Sequence, residues 1–198
     1  MALVRALEEE ELDPALREKV QFFKGPLGVI PSSVRTMAYR PHIAEAFTAL
    51  NVAVMKDTGS VMPEFKRLVG YASSFASGCM YCQAHMILAS ERFGASEERL
   101  NGVFDFEGSD AFTVAEKAAL AYARAATEVP NGVTPEVMDR LRAHWDEGAI
   151  VEITAVVALF GFLNRWNDSM GSALEDLPRS RGEGRLADAT GWAVGKHG

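Results

Sequence analysis

The chain has 198 residues, of which 48% are hydrophobic and 24% are charged, with a formal net charge of −7 and 2 cysteines. This composition excludes a disordered or fibrous protein, and the length suffices for one well-buried domain. The acidic balance lacks the clustered Lys and Arg that bind phosphates, so we expect no nucleic-acid partner.

The N-terminal residues MALVRALEEEELDP do not resemble a signal peptide, which has a charged start followed by an apolar block. Two cysteines cannot build a disulfide framework. We therefore expect the protein in the reducing cytoplasm.

Apolar residues recur mostly at intervals of three and four, which predicts an all-α fold in a single domain. A helix is predicted over 14–23, and Ser32 can open the next segment. The following helix, 41–56, is predicted to place Ile43, Ala46, Phe47, Leu50 and Val54 on one face, and residues 57–60 are predicted to form a loop.

Further along the chain, proline, glycine and capping residues predict where helices begin and end. Pro63 starts a helix that Ser77-Gly78 interrupts, and a new helix runs from 79 to 93, where Gly94 ends it. Three further helices are predicted after Ser96, over 114–128 and over 135–145.

The most hydrophobic stretch, 149–163, contains Glu152 and is shorter than the roughly twenty apolar residues of a membrane span, so we predict a central core helix. Burying an unpaired carboxylate is costly, so Glu152 should be paired or at an interface. From Pro178 the composition becomes rich in Gly, Arg and Asp. We therefore predict one helical domain over 1–178 and a loosely ordered C-terminal tail over 179–198.

The two cysteines stand close together in the segment GCMYCQAH, which begins at Gly78. Two cysteines placed at random would show this spacing roughly one time in a hundred. On a helix, Cys79, Cys82 and His85 are successive steps of three residues, so their side chains share one face. A helix N-terminus and an imidazole can favour a thiolate, and a second cysteine can resolve an oxidised first one as a disulfide.

Other interpretations of this segment fit less well. Covalent haem attachment needs a histidine directly after the second cysteine, where this chain has Gln83, and a thioredoxin-like site needs a preceding strand. Structural zinc needs four ligands, so Cys79, Cys82 and His85 would require His42 or His144 as the fourth.

At this motif the sequence resembles the carboxymuconolactone decarboxylase superfamily, in its alkylhydroperoxidase D-like branch. The resemblance covers roughly 15–175 and is carried by FASGCMYCQAH from Phe75, EFKRLVGYASS from Glu64 and RPHIAEAF from Arg40. Weaker support comes from LAYARA at Leu120, IVEIT at Ile150 and FLNR at Phe162.

The resemblance implies an all-helical, homo-oligomeric protein with thiol peroxidase activity and no cofactor. It implies that Cys82 reduces a hydroperoxide and becomes a sulfenic acid, while Cys79 is its proton donor and closes a disulfide with it. An external dithiol or partner protein would then restore both thiols, and no membrane partner is expected.

The sequence departs from well-studied members at two positions of their proton relay. Arg67 stands where those members carry a glutamate, and Met86 stands where they carry a histidine, which here is His85. Glu64, one turn before Arg67, could replace the carboxylate or could be a solvated residue of the first helical turn. Arg67 could stabilise a Cys82 thiolate or position a peroxide oxygen, or it could lie on the surface.

Simpler roles are expected for Tyr81 and for the remaining histidines. Tyr81 is expected to serve in packing rather than as a proton donor. His42, His144 and His197 are expected to be a helix-start residue, a helix-end residue and a tail residue. Two other functions remain open: a lactone decarboxylase that needs acid and base groups without a thiol pair, or a non-enzymatic oligomer that senses oxidants or holds zinc.

Overall fold

The computed structural model describes residues 2–56 and 58–198, and this part of the chain is helical without any strand, which confirms the all-α prediction. The predicted loop 57–60 starts at Asp57, which lies outside the described residues, and 58–60 form a turn. The α-helices are α1 (Pro14–Val20), α2 (Lys24–Leu27), α3 (Ser32–Met37), α4 (Pro41–Met55), α5 (Pro63–Ala76), α6 (Met80–Arg92), α7 (Glu97–Gly102), α8 (Val114–Thr127), α9 (Pro135–Arg142), α10 (Glu147–Met170), α11 (Asp176–Arg185) and α12 (Ala187–Thr190). Short 3-10 helices lie at Glu9–Glu11, Gln21–Phe23, Val103–Asp105 and Gly195–His197.

Local capping explains why most helices begin where the sequence predicts. Proline occupies the first helical position of α4, α5 and α9, where its missing N–H costs no hydrogen bond. The Ser96 side chain caps α7 by accepting from the Arg99 N–H. At α8, Thr113 and Glu116 form the predicted capping box.

The core is built around α5, which packs against α6, α8 and α10. Leu68, Ile87 and Ile153, one from each of α5, α6 and α10, are completely buried. A Cβ added to Gly70 would lie 2.7 Å from Cε2 of Phe160, so the backbone of α5 approaches the α10 side chains closely. This contact holds α5 close against α10, and α6 packs on both of these helices.

The predicted apolar face of α4 is largely wrong. Phe47 is buried, but Ile43 and Leu50 are 37% and 50% exposed. The buried face instead includes Thr48, whose hydroxyl donates to the Ala44 carbonyl at 2.7 Å. Because that hydroxyl is satisfied within the helix, Thr48 can be buried while apolar residues remain outside.

The central helix is longer than predicted, because α10 has 24 residues rather than the stretch 149–163. Within the described chain it is the one helix long and apolar enough to cross a membrane, with a mean hydropathy of 1.6 over its best window. Its length therefore does not separate a core helix from a membrane span. It packs on α4, α5, α6 and α8, as the predicted core helix would.

The carboxylate within this apolar helix is paired, as predicted. An oxygen of Glu152 lies 2.9 Å from Nζ of Lys66, whose side chain is 3% exposed. The backbone N–H of Ser60 also donates to Glu152 at 2.8 Å. The charge inside the apolar run is thus neutralised by a buried lysine.

The C-terminal residues differ from the loosely ordered tail predicted over 179–198. They form α11, α12 and a final 3-10 helix, and α11 packs against α6. Leu186, Trp192 and His197 are buried, and the Trp192 indole N–H donates to the Met80 carbonyl at 3.1 Å. One glycine of this segment permits a close approach, because a Cβ on Gly182 would lie 2.7 Å from the Trp192 ring.

Candidate active site

The turn between α5 and α6 places the two cysteines in different surroundings. Gly78 has a φ of +73°, a conformation that favours glycine, and it reverses the chain after α5. Cys79 is the N-cap of α6 rather than a residue of the helix, and its Sγ accepts from the Cys82 N–H at 3.5 Å. Both cysteines are free and buried.

A cavity of about 60 Å³ lies beside α6. This volume is several times the roughly 10–15 Å³ that one water needs. Tyr81, Cys82 and His85 form part of its wall. The other lining residues are mostly apolar and include Phe22, Phe23, Leu27, Val34, Phe47, Met55, Met86, Phe160 and Leu163.

Polar side chains of other helices also line this cavity, among them Asn167 and Arg67. The Asn167 amide donates to Cys82 Sγ at 3.4 Å. The Arg67 guanidinium lies 3.5 Å from the centre of the Phe93 ring and donates to the Pro63 carbonyl at 2.6 Å. Arg67 is therefore a buried residue of the cavity wall and not a surface arginine.

The Cys82 sulfur is not poised as a thiolate in this arrangement. Burial raises the pKa of the Cys82 thiol well above its usual range, and the neighbouring Cys79 raises it further. The Asn167 amide opposes this effect because it can donate to the charged sulfur. A proton acceptor must therefore take the Cys82 proton when this sulfur reacts.

His85 belongs to a buried cluster with Glu175 and Tyr81. Its Nε2 lies 3.1 Å from a carboxylate oxygen of Glu175, and its Nδ1 lies 2.9 Å from the Tyr81 carbonyl. The Tyr81 hydroxyl donates to the other Glu175 oxygen at 3.0 Å, and the Tyr81 and His85 rings stack at 4.3 Å. Tyr81 is thus a hydrogen-bond donor in the site, not only the packing residue that we expected.

Glu175 is ionised in this cluster. Burial alone would raise the pKa of its carboxyl, but the charge of His85 and the donating Ser32 N–H outweigh burial and lower it to about 2. Although Glu175 is the N-cap of α11, its side chain makes no capping bond there. The sequence held no signal for this residue, because it lies 94 positions from Tyr81.

A second histidine–carboxylate pair lies near Cys79. His197 Nε2 is 3.2 Å from an Asp168 oxygen, and potential ligand atoms of Cys79, Asp168 and His197 all lie within 4.8 Å of one another. The expectation that His197 is a simple tail residue is wrong, because its ring is buried. The sequence did not place Asp168 or His197 in the site, because no local spacing links these residues to the cysteines.

The Glu64 side chain lies away from the cavity and pairs with Arg99. Its carboxylate lies 3.0 Å from the Arg99 guanidinium, which also binds Glu116 at 2.6 Å. Burial raises the pKa of Glu64, and the Arg99 charge opposes this. The described residues that line the cavity do not include Glu64.

The ligand set that we considered for zinc is not brought together among the described residues. His42 and His144 are both exposed. The group of potential metal ligands that the described residues do form is Cys79, Asp168 and His197. Cys82 and His85 instead face the apolar cavity, a setting that suits thiol chemistry on a small organic molecule.

Comparisons with known proteins agree with the fold. A profile of the "Carboxymuconolactone decarboxylase family" matches residues 41–125. The chain is 27% identical over 165 residues to the uncharacterized protein YnjA of Escherichia coli strain K12, covering 83% of this chain and 90% of YnjA.

Solved structures give longer matches. The debrominase Bmp8 is 34% identical with a TM-score of 0.85, covering 90% of this chain and 95% of Bmp8. A cysteine-to-alanine variant of Bmp8 in complex with 2,3,4-tribromopyrrole is 33% identical, with a TM-score of 0.87 and coverage of 93% and 97%. An uncharacterized peroxidase-related protein from Ralstonia eutropha JMP134 with an alkylhydroperoxidase AhpD core is 22% identical, with a TM-score of 0.74 and coverage of 89% and 94%.

Proposed function

Because the chain belongs to the carboxymuconolactone decarboxylase superfamily, in its alkylhydroperoxidase D-like branch, we propose that it is a thiol-dependent reductase of organic hydroperoxides. The observation that carries this proposal is the placement of Cys82 on the wall of an apolar cavity, with Cys79 at the N-cap beside it. One thiol meets the substrate, and the second is positioned to reach the first.

The reaction consumes both thiols. Cys82 attacks the outer peroxide oxygen, the O–O bond breaks, and Cys82 becomes a sulfenic acid while the alkoxide leaves as an alcohol. Cys79 then attacks the oxidised sulfur and expels water, which leaves a Cys79–Cys82 disulfide. Two electrons pass from the two sulfurs to the peroxide, and the two thiol protons end on the alcohol and the water.

His85 is proposed to move the first proton. It faces the cavity next to Cys82 and is held by Glu175, so it can protonate the leaving alkoxide and recover a proton from the Cys82 thiol. Arg67 also lines the cavity and can orient a peroxide oxygen by a charge-assisted hydrogen bond. Glu64 has no role in this scheme, because it pairs with Arg99.

The cycle requires an external reductant. A dithiol or a partner protein with two thiols would reduce the Cys79–Cys82 disulfide, and a reducing compartment such as the cytoplasm would keep both thiols ready. No cofactor takes part in this scheme. We also propose that the protein is a homo-oligomer, because α4 and α10 expose large apolar residues.

Reductive debromination of a small aromatic molecule is the second candidate. It is favoured by the likeness to Bmp8 over nearly the whole of both chains and by the aromatic lining of the cavity. The same thiols would supply two electrons: an aryl bromide and two thiols give the arene, bromide, a proton and the disulfide. The site chemistry is shared by both candidates, and only the electron acceptor differs.

Turnover with dithiothreitol as the reductant separates the candidates. We expect consumption of cumene hydroperoxide that is lost in Cys82→Ser, whereas bromide release from 2,3,4-tribromopyrrole with no peroxide turnover would select the debrominase. A double Cys79→Ser/Cys82→Ser variant that still decarboxylates a lactone would select the decarboxylase. Stoichiometric zinc in the purified protein would contradict the peroxidase.

A further inference from the structure

The geometry of the His197–Asp168 pair defines where this pair can hold a proton. His197 Nδ1 lies 2.9 Å from the Ser172 carbonyl oxygen, which can only accept, so Nδ1 carries a hydrogen. Nε2 lies 3.2 Å from an Asp168 carboxylate oxygen. Because two bare acceptors would repel at this distance, a proton that the pair takes up is held between these two atoms.

Cys79 is the thiol that can supply this proton. Its Sγ lies within 4.8 Å of ligand atoms of both His197 and Asp168, and Cys79 and His197 are almost completely buried. Two further polar groups face the pair: Lys196 Nζ is 3.5 Å from Asp168, and the Tyr81 ring is 5.7 Å from the His197 ring.

Holding the C-terminal segment in place does not require this pair. The Leu174 N–H donates to the His197 backbone carbonyl at 2.8 Å, and Trp192 anchors the segment to Met80. Burying the His197 ring beside the partly exposed Asp168 carboxylate also costs desolvation energy that an apolar side chain would avoid. The position of the His197–Asp168 pair beside the Cys79 thiol therefore calls for a role in the chemistry of that thiol.

We propose that His197, positioned by Asp168, is the acid–base group of Cys79. When Cys79 attacks Cys82–S–X, the Cys79 sulfur–Cys82 sulfur bond forms and the S–X bond breaks. The electron pair of that bond leaves with X. The Cys79 proton is held between His197 and Asp168 and then passes to X, which departs as HX, or as water when X is a hydroxyl group.

This assignment divides the chemistry between two histidines: His85 serves the step at the cavity, and His197 serves closure of the disulfide. It rests on the proposed function, but its central step does not depend on the natural substrate. Methyl methanethiosulfonate can load Cys82 with a methylthio group, so that X is a methylthio group and closure expels methanethiol.

The test measures the two steps separately in wild type, His197→Gln and Asp168→Asn by rapid quench and mass spectrometry. The exposed His144→Gln is the matched control. First, loading of Cys82 is followed in a Cys79→Ser background with methyl methanethiosulfonate and with cumene hydroperoxide. Second, closure of the disulfide is followed with Cys79 present.

We expect His197→Gln to leave loading within about 2-fold of wild type and to slow closure about 100-fold, since general acid–base groups contribute such factors. Asp168→Asn should slow closure less, and added imidazole should restore part of the rate in His197→Ala. Normal loading shows that a variant is folded.

Closure at the wild-type rate in His197→Gln overturns the assignment, as does equal slowing of both steps in His197→Gln and Asp168→Asn. If cumene hydroperoxide fails to oxidise Cys82 in wild type, while closure after methylthiolation is still slowed in His197→Gln, the proposed peroxidase is overturned and the role of His197 is supported.

Discussion

At the scale of single residues, the two cysteines of one short motif differ in what their surroundings allow. Cys79 accepts a backbone N–H at the start of α6, whereas Cys82 lies within the helix, where burial raises its pKa. Each has its own histidine–carboxylate pair nearby, with His85 on the cavity side and His197 on the other. The two thiols are therefore suited to successive steps of the proposed reaction.

The Asn167 amide is predicted to control the reactivity of Cys82. Asn167→Leu removes the donor that stabilises the charged sulfur, so the pKa of Cys82 should rise further. In a Cys79→Ser background, alkylation by iodoacetamide at pH 8 should slow about 5-fold, as expected for one lost hydrogen bond to a charged group. Asn164→Leu, at an equally buried position of α10, is the control, and equal rates in all three proteins would contradict the prediction.

Glu175 should make the stability of the protein depend on pH in the acid range. Its pKa of about 2 in the folded protein lies below the ordinary 4.5, so its contribution is complete above pH 4.5. The contribution is lost as the pH falls from about 4.5 to about 2, and its full size is on the order of 3 kcal/mol.

Urea unfolding at several pH values measures this contribution as the difference between wild type and Glu175→Gln. The difference should be constant above pH 5 and shrink as the pH is lowered. Glu183→Gln, an exposed position on the same helix, should show little difference at any pH. A difference for Glu175→Gln that does not vary between pH 3 and pH 6 would refute this role of the ion pair.

At the scale of elements, α11 and the residues after it complete the site that α6 begins. Glu175 at the N-cap of α11 reaches His85, and His197 in the last 3-10 helix reaches Asp168 on α10. The C-terminal segment therefore contributes residues to the candidate active site. Its packing against α6 sets the position of both carboxylate pairs.

Two glycines of α11 provide a matched test of this packing. A Cβ on Gly182 would lie 2.7 Å from the rigid Trp192 ring, whereas a Cβ on Gly184 would meet nothing within 4 Å. Gly182→Ala should therefore destabilise the protein by about 1–3 kcal/mol and expose Trp192. Gly184→Ala should be neutral or stabilising by up to about 1 kcal/mol, since alanine favours the helix.

Urea unfolding and the tryptophan emission maximum check both variants. A red shift of the emission is expected for Gly182→Ala alone. Equal stability of the two variants would show that α11 is not packed closely on Trp192.

At the scale of the whole molecule, local signals predicted much of the fold and half of the site. Proline, Thr113 and Gly78 determine where helices begin or turn by their own backbone chemistry, and the spacing of Cys79, Cys82 and His85 is local to one helix. Periodicity could not show which side of α4 is buried, because Thr48 satisfies its hydroxyl within the helix.

The rest of the site depends on contacts between distant parts of the chain. Glu175, Asp168 and His197 reach the cysteines only after α10 and α11 have packed on α6. The Gly-rich composition after Pro178 was misleading for the same reason, since Gly182 makes room for Trp192 rather than loosening the chain. The charge of Glu152 was correctly expected to be paired, because burial of a lone charge is costly wherever it occurs.

Exposed apolar residues predict that the protein assembles with copies of itself. On α4, Ile43 and Leu50 are 37% and 50% exposed, and on the adjoining α10, Val151 and Phe162 are 67% and 43% exposed. Burying such residues between copies removes apolar surface from water. Light scattering at micromolar concentration should therefore show an oligomer.

The double variant Leu50→Glu/Val151→Glu should dissociate the oligomer, because it places charges among these residues. Val114→Glu, at a 64% exposed position on α8, is the control and should remain assembled. A monomeric wild-type protein would contradict the prediction.

The central claim is that Cys79 and Cys82 together give two electrons to a substrate. Counting free thiols before and after one equivalent of cumene hydroperoxide, with mass spectrometry of the peptides, tests it most directly. We predict that both thiols disappear and a Cys79–Cys82 disulfide forms, while Cys79→Ser stops at a sulfenic acid on Cys82. Survival of both thiols, or peroxide consumption by Cys82→Ser at the wild-type rate, would contradict the claim.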